Sequence, residues 1–182
     1  MFGPSRAALF APFVAVVALT LLSRSVCGQD STPRATHTVE QAPNSYYVVA
    51  DYDTARNPAE DVRAAIDRAQ TEHKRVLVEV GGQWCGWCKI LDRFFKDTPE
   101  VHALLEQHFL IVKVNFSREN ENTEFLSQYP AIHGYPHIFV LESDGSFLHS
   151  QDTALLEEGR GYNQQAVVSF LREWMPGGSG AS

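Results

Sequence analysis

The chain has 182 residues, of which 44% are hydrophobic and 20% are charged, and its net charge is −7. This composition is that of an ordinary globular protein, and the length is enough for one domain with a full core. An acidic chain in which no basic patch stands out is a poor partner for nucleic acid, so we expect no nucleic-acid binding.

The first 28 residues have the composition of a secretory signal peptide. Arg6 precedes an apolar run from Ala7 to Leu22. This run is short for a membrane span but suits the core of a signal peptide. We expect cleavage near residue 28, which would also remove Cys27. The alternatives are an uncleaved membrane anchor and a lipid-modified Cys27, and all three place the protein outside the cytosol, in the periplasm or secreted.

The rest of the chain divides into a linker, a domain and a tail. Residues 29–44 are polar and contain several Ser, Thr and Pro residues, which predicts a flexible linker. Residues 45–176 carry strand and helix patterns throughout, and residues 177–182 are rich in Gly and Ser. The pattern therefore predicts one folded domain followed by a short flexible tail.

Strand and helix patterns alternate along residues 45–176. The predicted strands are residues 76–80, 109–116, 136–141 and a hairpin partner after Asp144-Gly145, with residues 46–49 as a first short strand or an irregular edge segment. The predicted helices begin near Pro58, Cys85, Asp97, Thr123 and Asn163. The fold class is α/β, with a central mixed β-sheet flanked by helices.

The stretch Trp84-Cys85-Gly86-Trp87-Cys88-Lys89 stands between the buried strand 76–80 and a helix. A Cys-x-x-Cys pair in this context is typical of thiol–disulfide chemistry. The free N–H groups and the dipole of a helix N-terminus stabilise a thiolate, so the first cysteine can attack at neutral pH. The alternatives are a structural disulfide and half of a metal site.

Together with two further features, this stretch resembles the thioredoxin superfamily over residues 58–174. One feature is the segment Ile132-His133-Gly134-Tyr135-Pro136, which resembles the cis-proline loop of that family. The other is the hairpin turn at Asp144-Gly145 followed by a last helix. The resemblance implies a thioredoxin fold and an extracytoplasmic thiol–disulfide oxidoreductase.

The resemblance also implies catalytic roles for four residues. Cys85 would be the exposed nucleophile and Cys88 the buried thiol that resolves the mixed disulfide. Glu79 matches the buried acid behind the second cysteine and would take a proton from Cys88. Lys113 matches a lysine near that acid, and pairing with Glu79 would lower the pKa of the carboxyl. The redox-active disulfide would serve without any other cofactor.

Five residues are candidates for substrate binding. By the resemblance, Pro136 is the cis proline, and the backbone of Tyr135 would pair with an extended substrate segment. Trp84 and Trp87 would surround the thiol with an apolar surface, and Gly86 lies between the cysteines at the same surface.

Further expectations concern the substrates, the redox partner, the direction of exchange, the oligomeric state and the loop before the motif. The substrates would be disulfides in proteins, and a second redox protein would recharge the pair. Trp87 stands where thioredoxins commonly have proline, so the direction of exchange stays open, with a reductase preferred. We expect a monomer, and we expect the loop at Gly81-Gly82 to be looser than in the family.

The rival function uses the same two thiols without exchange. Cys85 and Cys88 could join His133 and His137 in a metal site, or the domain could deliver copper or act as a thioredoxin-fold chaperone. The histidine spacing matches no tight ligand pattern, so we prefer the oxidoreductase.

Overall fold

The computed structural model describes residues 45–180. The predicted signal peptide, residues 29–44 of the predicted linker and the last two residues lie outside this range. Between residues 45 and 180, no helix combines the length and apolar character that a membrane span requires.

A five-stranded mixed sheet forms the centre of the fold, in the order β1-β3-β2-β4-β5. Strands β1, β3 and β2 run parallel, and β4 and β5 follow antiparallel at the other edge. The bounds are β1 Tyr47–Val49, β2 Arg75–Gly81, β3 Phe109–Asn115, β4 His137–Leu141 and β5 Phe147–Asp152. Residues 46–49 thus include a short strand at the edge of the sheet.

Within residues 45–180, five helices cover the two faces of this sheet. Their bounds are α1 Pro58–Glu72, α2 Gly86–Asp97, α3 Pro99–His108, α4 Thr123–Leu126 and α5 Gln164–Trp174. Buried side chains of α1 and α4 pack on one face, and those of α2, α3 and α5 pack on the other. The predicted α/β class with a mixed sheet between helices is confirmed.

Two helices begin where their capping residues predict. The side chain of Asn57 accepts hydrogen bonds from the backbone N–H groups of Ala59 and Glu60 at the start of α1. Asn163 accepts one from Ala166 at the start of α5. Each cap supplies a partner to N–H groups that the helix itself leaves free.

Strand β2 is buried along its whole length, as its β-branched composition predicts. All seven of its residues are buried. Val76, Val78 and Val80 face the α1 side, where each buried side chain stabilises the fold by roughly 1.5–3 kcal/mol. Because neighbours along a strand point to opposite faces, Glu79 and Gly81 lie on the other face, beneath α2.

Residues 153–162 form a small substructure that the sequence pattern does not predict. A 3-10 helix spans Thr153–Leu156, and a two-stranded ribbon pairs β6 Glu157–Glu158 with β7 Gly161–Tyr162. These elements are too short to show a periodicity of two or of 3.6. They contact the candidate site through Thr153 and Tyr162.

Candidate active site

Cys85 and Cys88 form a disulfide at the N-terminus of α2. Cys85 is the capping residue of this helix, and its sulfur accepts a hydrogen bond of 3.0 Å from the backbone N–H of Cys88. An N–H directed at this sulfur also stabilises a thiolate there once the disulfide is reduced. The local geometry therefore suits a nucleophilic Cys85.

Both sulfur-bearing residues are buried in the disulfide state. Cys85 is 3% exposed and Cys88 is 1% exposed, whereas the resemblance implied an exposed Cys85. The difference arises because Tyr52, Trp87 and Tyr135 pack around the pair and cover it. The first cysteine is still the more accessible of the two, but only by a small margin.

Glu79 is buried behind the disulfide, on β2. The residue is 1% exposed, and the hydroxyl of Tyr52 donates a hydrogen bond of 2.5 Å to its Oε1. Within residues 45–180, its Oε2 has no hydrogen-bond partner. Burial raises the pKa of this carboxyl, and the charge of Lys113 and the bond from Tyr52 oppose the rise only in part. Such a carboxyl is suited to holding and releasing a proton.

Lys113 lies beside Glu79 but forms its ion pair with another residue. The two residues are in register on β2 and β3, and the lysine's charge acts to lower the pKa of Glu79. Its Nζ, however, lies 2.6 Å from Oδ1 of Asp92, so Lys113 acts on Glu79 through its charge and not through an ion pair. The hydroxyl of Tyr52 donates a hydrogen bond to Glu79 instead, and the ring of Tyr52 lies 5.4 Å from the ammonium of Lys113.

Asp92 is the carboxylate that balances the charge beneath α2. It accepts hydrogen bonds from Lys113, Lys96 and the hydroxyl of Tyr47. Its partial burial alone would raise the pKa of Asp92, but the bonds from the two lysines hold it below its usual range. Asp92 therefore stays ionised. Glu79 has no ion-pair partner among residues 45–180, so burial raises its pKa.

The glycines before the motif are tightly packed, so the expected looser loop is not found. A Cβ on Gly81 would lie 2.5 Å from Sγ of Cys88 and 2.9 Å from the hydroxyl of Tyr52. A Cβ on Gly82 would overlap the indole of Trp84. Both glycines are buried, because the side chains of Cys88, Tyr52 and Trp84 pack against the backbone here.

The outer side of the disulfide carries an aromatic surface. Trp84 is 58% exposed, and its Nε1 donates a hydrogen bond of 2.8 Å to the carbonyl of Phe116. The ring of Tyr135 stacks on Phe116 at 4.9 Å and meets Trp84 edge-on at 5.6 Å. A cleft of about 720 Å³ begins beside Trp84 and Phe116 and is lined mostly by apolar surface.

The loop before β4 lies against this surface. The Tyr135–Pro136 peptide bond is cis. The buried hydroxyl of Thr153 donates a hydrogen bond of 2.5 Å to the carbonyl of Pro136. The unpredicted 3-10 helix thus holds the proline loop in place.

The other two substrate-binding candidates differ in their surroundings. Gly86 is exposed, and a Cβ there would meet no atom within 4 Å. Trp87 is only partly exposed, because it packs edge-on against Tyr162 at 5.7 Å as well as against the disulfide. Trp84 therefore forms more of the open surface than Trp87 does.

Among residues 45–180, no group of three or more His, Cys, Asp or Glu side chains could hold a metal ion. His137 is buried, and its Nε2 is bonded to the hydroxyl of Ser150 at 2.8 Å. The four-ligand set that the rival function requires is thus not assembled with His133 and His137.

Four residues at the site have no role in the sequence analysis: Tyr52, Asp92, Phe116 and Thr153. Asp92 could have been found, since it follows Cys88 by one helical turn on the same face. Tyr52 could not, because it lies in an irregular segment 27 residues before Glu79. Thr153 and Phe116 act through contacts that only the folded chain brings together.

A thioredoxin-like family model matches residues 57–143. The thiol:disulfide interchange protein DsbD of Neisseria meningitidis is 33% identical over 88 residues, which are 47% of this chain and 14% of that protein. DsbD of Pseudomonas fluorescens is 29% identical over 124 residues, which are 68% and 19%. The chain therefore spans less than a fifth of the length of these curated relatives.

A solved structure shows the same arrangement of elements. The disulphide isomerase of Xylella fastidiosa Temecula1 superposes with a TM-score of 0.57 and 27% sequence identity. The match covers 66% of this chain and 92% of that one. It thus includes nearly all of the other protein.

Proposed function

We propose that the chain is a thiol–disulfide oxidoreductase of the thioredoxin superfamily working through Cys85 and Cys88, in line with the family model over residues 57–143 and the likeness to a disulphide isomerase. The observation that carries the proposal is the position of the pair. It lies at the N-terminus of α2, beside the Tyr135–Pro136 loop, with a buried carboxyl behind it. A structural disulfide requires none of these neighbours.

The exchange proceeds in two displacements. The thiolate of Cys85 attacks a substrate disulfide, forms a mixed disulfide and releases one substrate thiolate. The sulfur of Cys88 then attacks Sγ of Cys85, restores the Cys85–Cys88 disulfide and releases the second substrate thiolate. Two electrons pass from the protein dithiol to the substrate. Glu79 takes the proton that Cys88 loses.

The aromatic surface of Trp84, Phe116 and Tyr135 supports protein disulfides as the substrates. Exposed rings bind apolar segments of flexible chains without demanding one sequence. The backbone of Tyr135 would pair with the extended segment that carries the substrate disulfide.

Reduction is the direction that the site favours. A strong oxidant stabilises its reduced form through its thiolate, whereas Cys85 receives one N–H bond and the intervening Gly86-Trp87 is uncharged. A reductase returns to the disulfide after each turnover, so a second redox protein must supply two electrons. The apolar segment 7–22 supports a location outside the cytosol.

Disulfide reduction in a model protein substrate tests the proposal. We expect Cys85→Ser to lower the rate by about a thousandfold or more, since it removes the nucleophile. Cys88→Ser should accumulate a mixed disulfide, which mass spectrometry of the intact protein detects. Equal rates for Cys85→Ser and the wild-type chain would refute the proposal.

Equilibration with glutathione buffers gives the direction. A reduction potential near about −270 mV indicates a reductase, and one near about −120 mV indicates an oxidant. A pair that never forms a reversible disulfide would exclude both.

A further inference from the structure

Tyr52 brings a buried hydroxyl group to the inner side of the disulfide. It lies in the irregular segment between β1 and α1, and it is 7% exposed. Its ring forms one buried cluster with Cys85 and Cys88. Its hydroxyl donates the 2.5 Å hydrogen bond to Oε1 of Glu79. The same side chain thus contacts the acid and the redox pair.

Cys88 of α2 lies over Gly81, which is two residues beyond Glu79 on β2. Glu79 and Gly81 lie on the same face, and alternate residues of a strand are about 6.6 Å apart. Sγ of Cys88 lies over Gly81, where a Cβ would be 2.5 Å from the sulfur and 2.9 Å from the hydroxyl of Tyr52. The phenol therefore fills the space between the carboxyl and the sulfur.

Solvent reaches this region through a cleft of about 350 Å³ beneath α2. Tyr52, Cys88 and Lys113 line it, and Glu79 does not. Tyr52 therefore contacts both this cleft and the buried carboxyl of Glu79.

We infer that the hydroxyl of Tyr52 relays the proton between the thiol of Cys88 and the carboxylate of Glu79. This inference rests on the proposed oxidoreductase function and adds a catalytic residue to it. The hydroxyl of Tyr52 is already bonded to the oxygen of Glu79, and it approaches the same position above Gly81 as Sγ of Cys88.

The relay step is balanced. As Cys88 attacks the mixed disulfide, its S–H proton passes to the phenol oxygen, and the phenol proton passes to Oε1 of Glu79. The products are the Cys88 thiolate, an unchanged neutral tyrosine and a protonated Glu79. The reverse step returns the proton when the disulfide is reduced again, so no further reactant is needed.

Charged and titratable groups from three elements surround the relay. Tyr47 comes from β1, Lys113 from β3, and Asp92 and Lys96 from α2. Each shapes the pH dependence of Glu79 or of Tyr52 through its charge. Tyr47 bonds to Asp92 rather than to Glu79, so its hydroxyl lies outside the relay.

A chromogenic aryl disulfide separates the two displacements in the reduced full chain. Attack by Cys85 releases the first coloured thiolate, and resolution by Cys88 releases the second. We expect Tyr52→Phe to leave the first release unchanged and to slow the second about tenfold to a hundredfold at neutral pH. In Tyr52→Phe, the second release should also become faster as pH rises, because the thiol of Cys88 then ionises without the relay.

Tyr47→Phe is the matched control, because it removes another tyrosine hydroxyl, which is bonded to Asp92 and not to Glu79, and it should leave both releases unchanged. Glu79→Gln should slow the second release as Tyr52→Phe does. If both act in one relay, the double variant should be no slower than the slower single variant. Thermal unfolding of all variants checks that each is folded.

A spectroscopic measurement tests the contact without any turnover. The bond from Tyr52 acts to lower the pKa of Glu79, so Tyr52→Phe should raise it, as seen in the infrared band of the protonated carboxyl. An unchanged carboxyl pKa, or a second release as fast as in Tyr47→Phe, would overturn the relay while leaving the proposed function intact. If the wild-type chain gives no first release, the proposed function fails and the relay fails with it.

Discussion

The inner and outer sides of the Cys85–Cys88 disulfide differ in exposure and in chemistry. On the inner side, toward the sheet, Tyr52, Glu79 and Lys113 are buried and joined by hydrogen bonds or charge. On the outer side, Trp84 is exposed and contacts Tyr135 through its ring edge. The carboxyl of Glu79 is therefore shielded from solvent, whereas the surface for substrates is open.

This contrast has a consequence for stability. Buried charges are costly unless they are paired, whereas exposed aromatic rings cost little. Substitutions on the inner side should change both folding and redox chemistry. Substitutions on the outer side should change substrate affinity alone.

The largest effect on folding is expected for Lys113→Met. It leaves Asp92 without its buried partner, so the free energy of unfolding should fall by about 3 kcal/mol at neutral pH. Lys96→Met is the matched control, since it removes the other lysine on Asp92, whose side chain is 53% exposed. That loss should stay below about 1 kcal/mol. Equal losses in urea unfolding would show that burial does not set the strength of these pairs.

Glu79→Gln should stabilise the oxidised protein at high pH. Burial raises the folded-state pKa of Glu79, so stability is highest below the ordinary carboxyl pKa and falls as pH rises through the folded value. At pH values above the folded-state pKa of Glu79, removing the charge should add about 2 kcal/mol to the free energy of unfolding. At about pH 4 both states carry the proton, and the gain should vanish.

Glu142→Gln is the control of opposite sign. Its own burial would raise the pKa of Glu142, but hydrogen bonds from Ser143 and Arg75 hold it below its usual range. Its contribution is therefore present above the ordinary carboxyl pKa and is lost as pH falls. Because the Arg75 side chain is only 3% exposed, losing this partner at neutral pH should cost about 1–3 kcal/mol. A gain in stability from Glu142→Gln would contradict the assignment.

Gly81→Ala tests how tightly the inner side is packed. The added methyl would collide with Cys88 and Tyr52, and we expect a loss of about 1–2 kcal/mol in the free energy of unfolding. Gly86→Ala is the matched control on the outer side, where the methyl meets no atom and the change should be within about 0.5 kcal/mol. A tolerated Gly81→Ala would mean that the backbone moves freely here.

Trp84→Ala should have the smallest effect on folding and a clear effect on substrate. Its ring is exposed, so unfolding should change by less than about 1 kcal/mol, while KM for a protein disulfide rises about tenfold. Phe147→Ala is the control, because this exposed ring lies on β5 at the end of the sheet away from Pro136. Its KM should be unchanged. A rise in KM for both variants would point to general loss of structure.

The sequence by itself determined the local features of the molecule. Asn57 and Asn163 mark helix starts because capping needs only a side chain next to its own helix. The buried strand β2 and the cysteines at the start of α2 follow from residues adjacent in the chain. Such contacts span a few residues, so composition and spacing are enough to predict them.

The tertiary structure alone decided the partners across the fold. Lys113 pairs with Asp92 and not with Glu79, because α2 places the carboxylate of Asp92 within 2.6 Å of the ammonium. Tyr52 reaches Glu79 from an irregular segment, and Thr153 reaches Pro136 from an unpredicted 3-10 helix. Each partner lies 17 or more residues away, where packing of separate elements sets the distance and no local pattern records it.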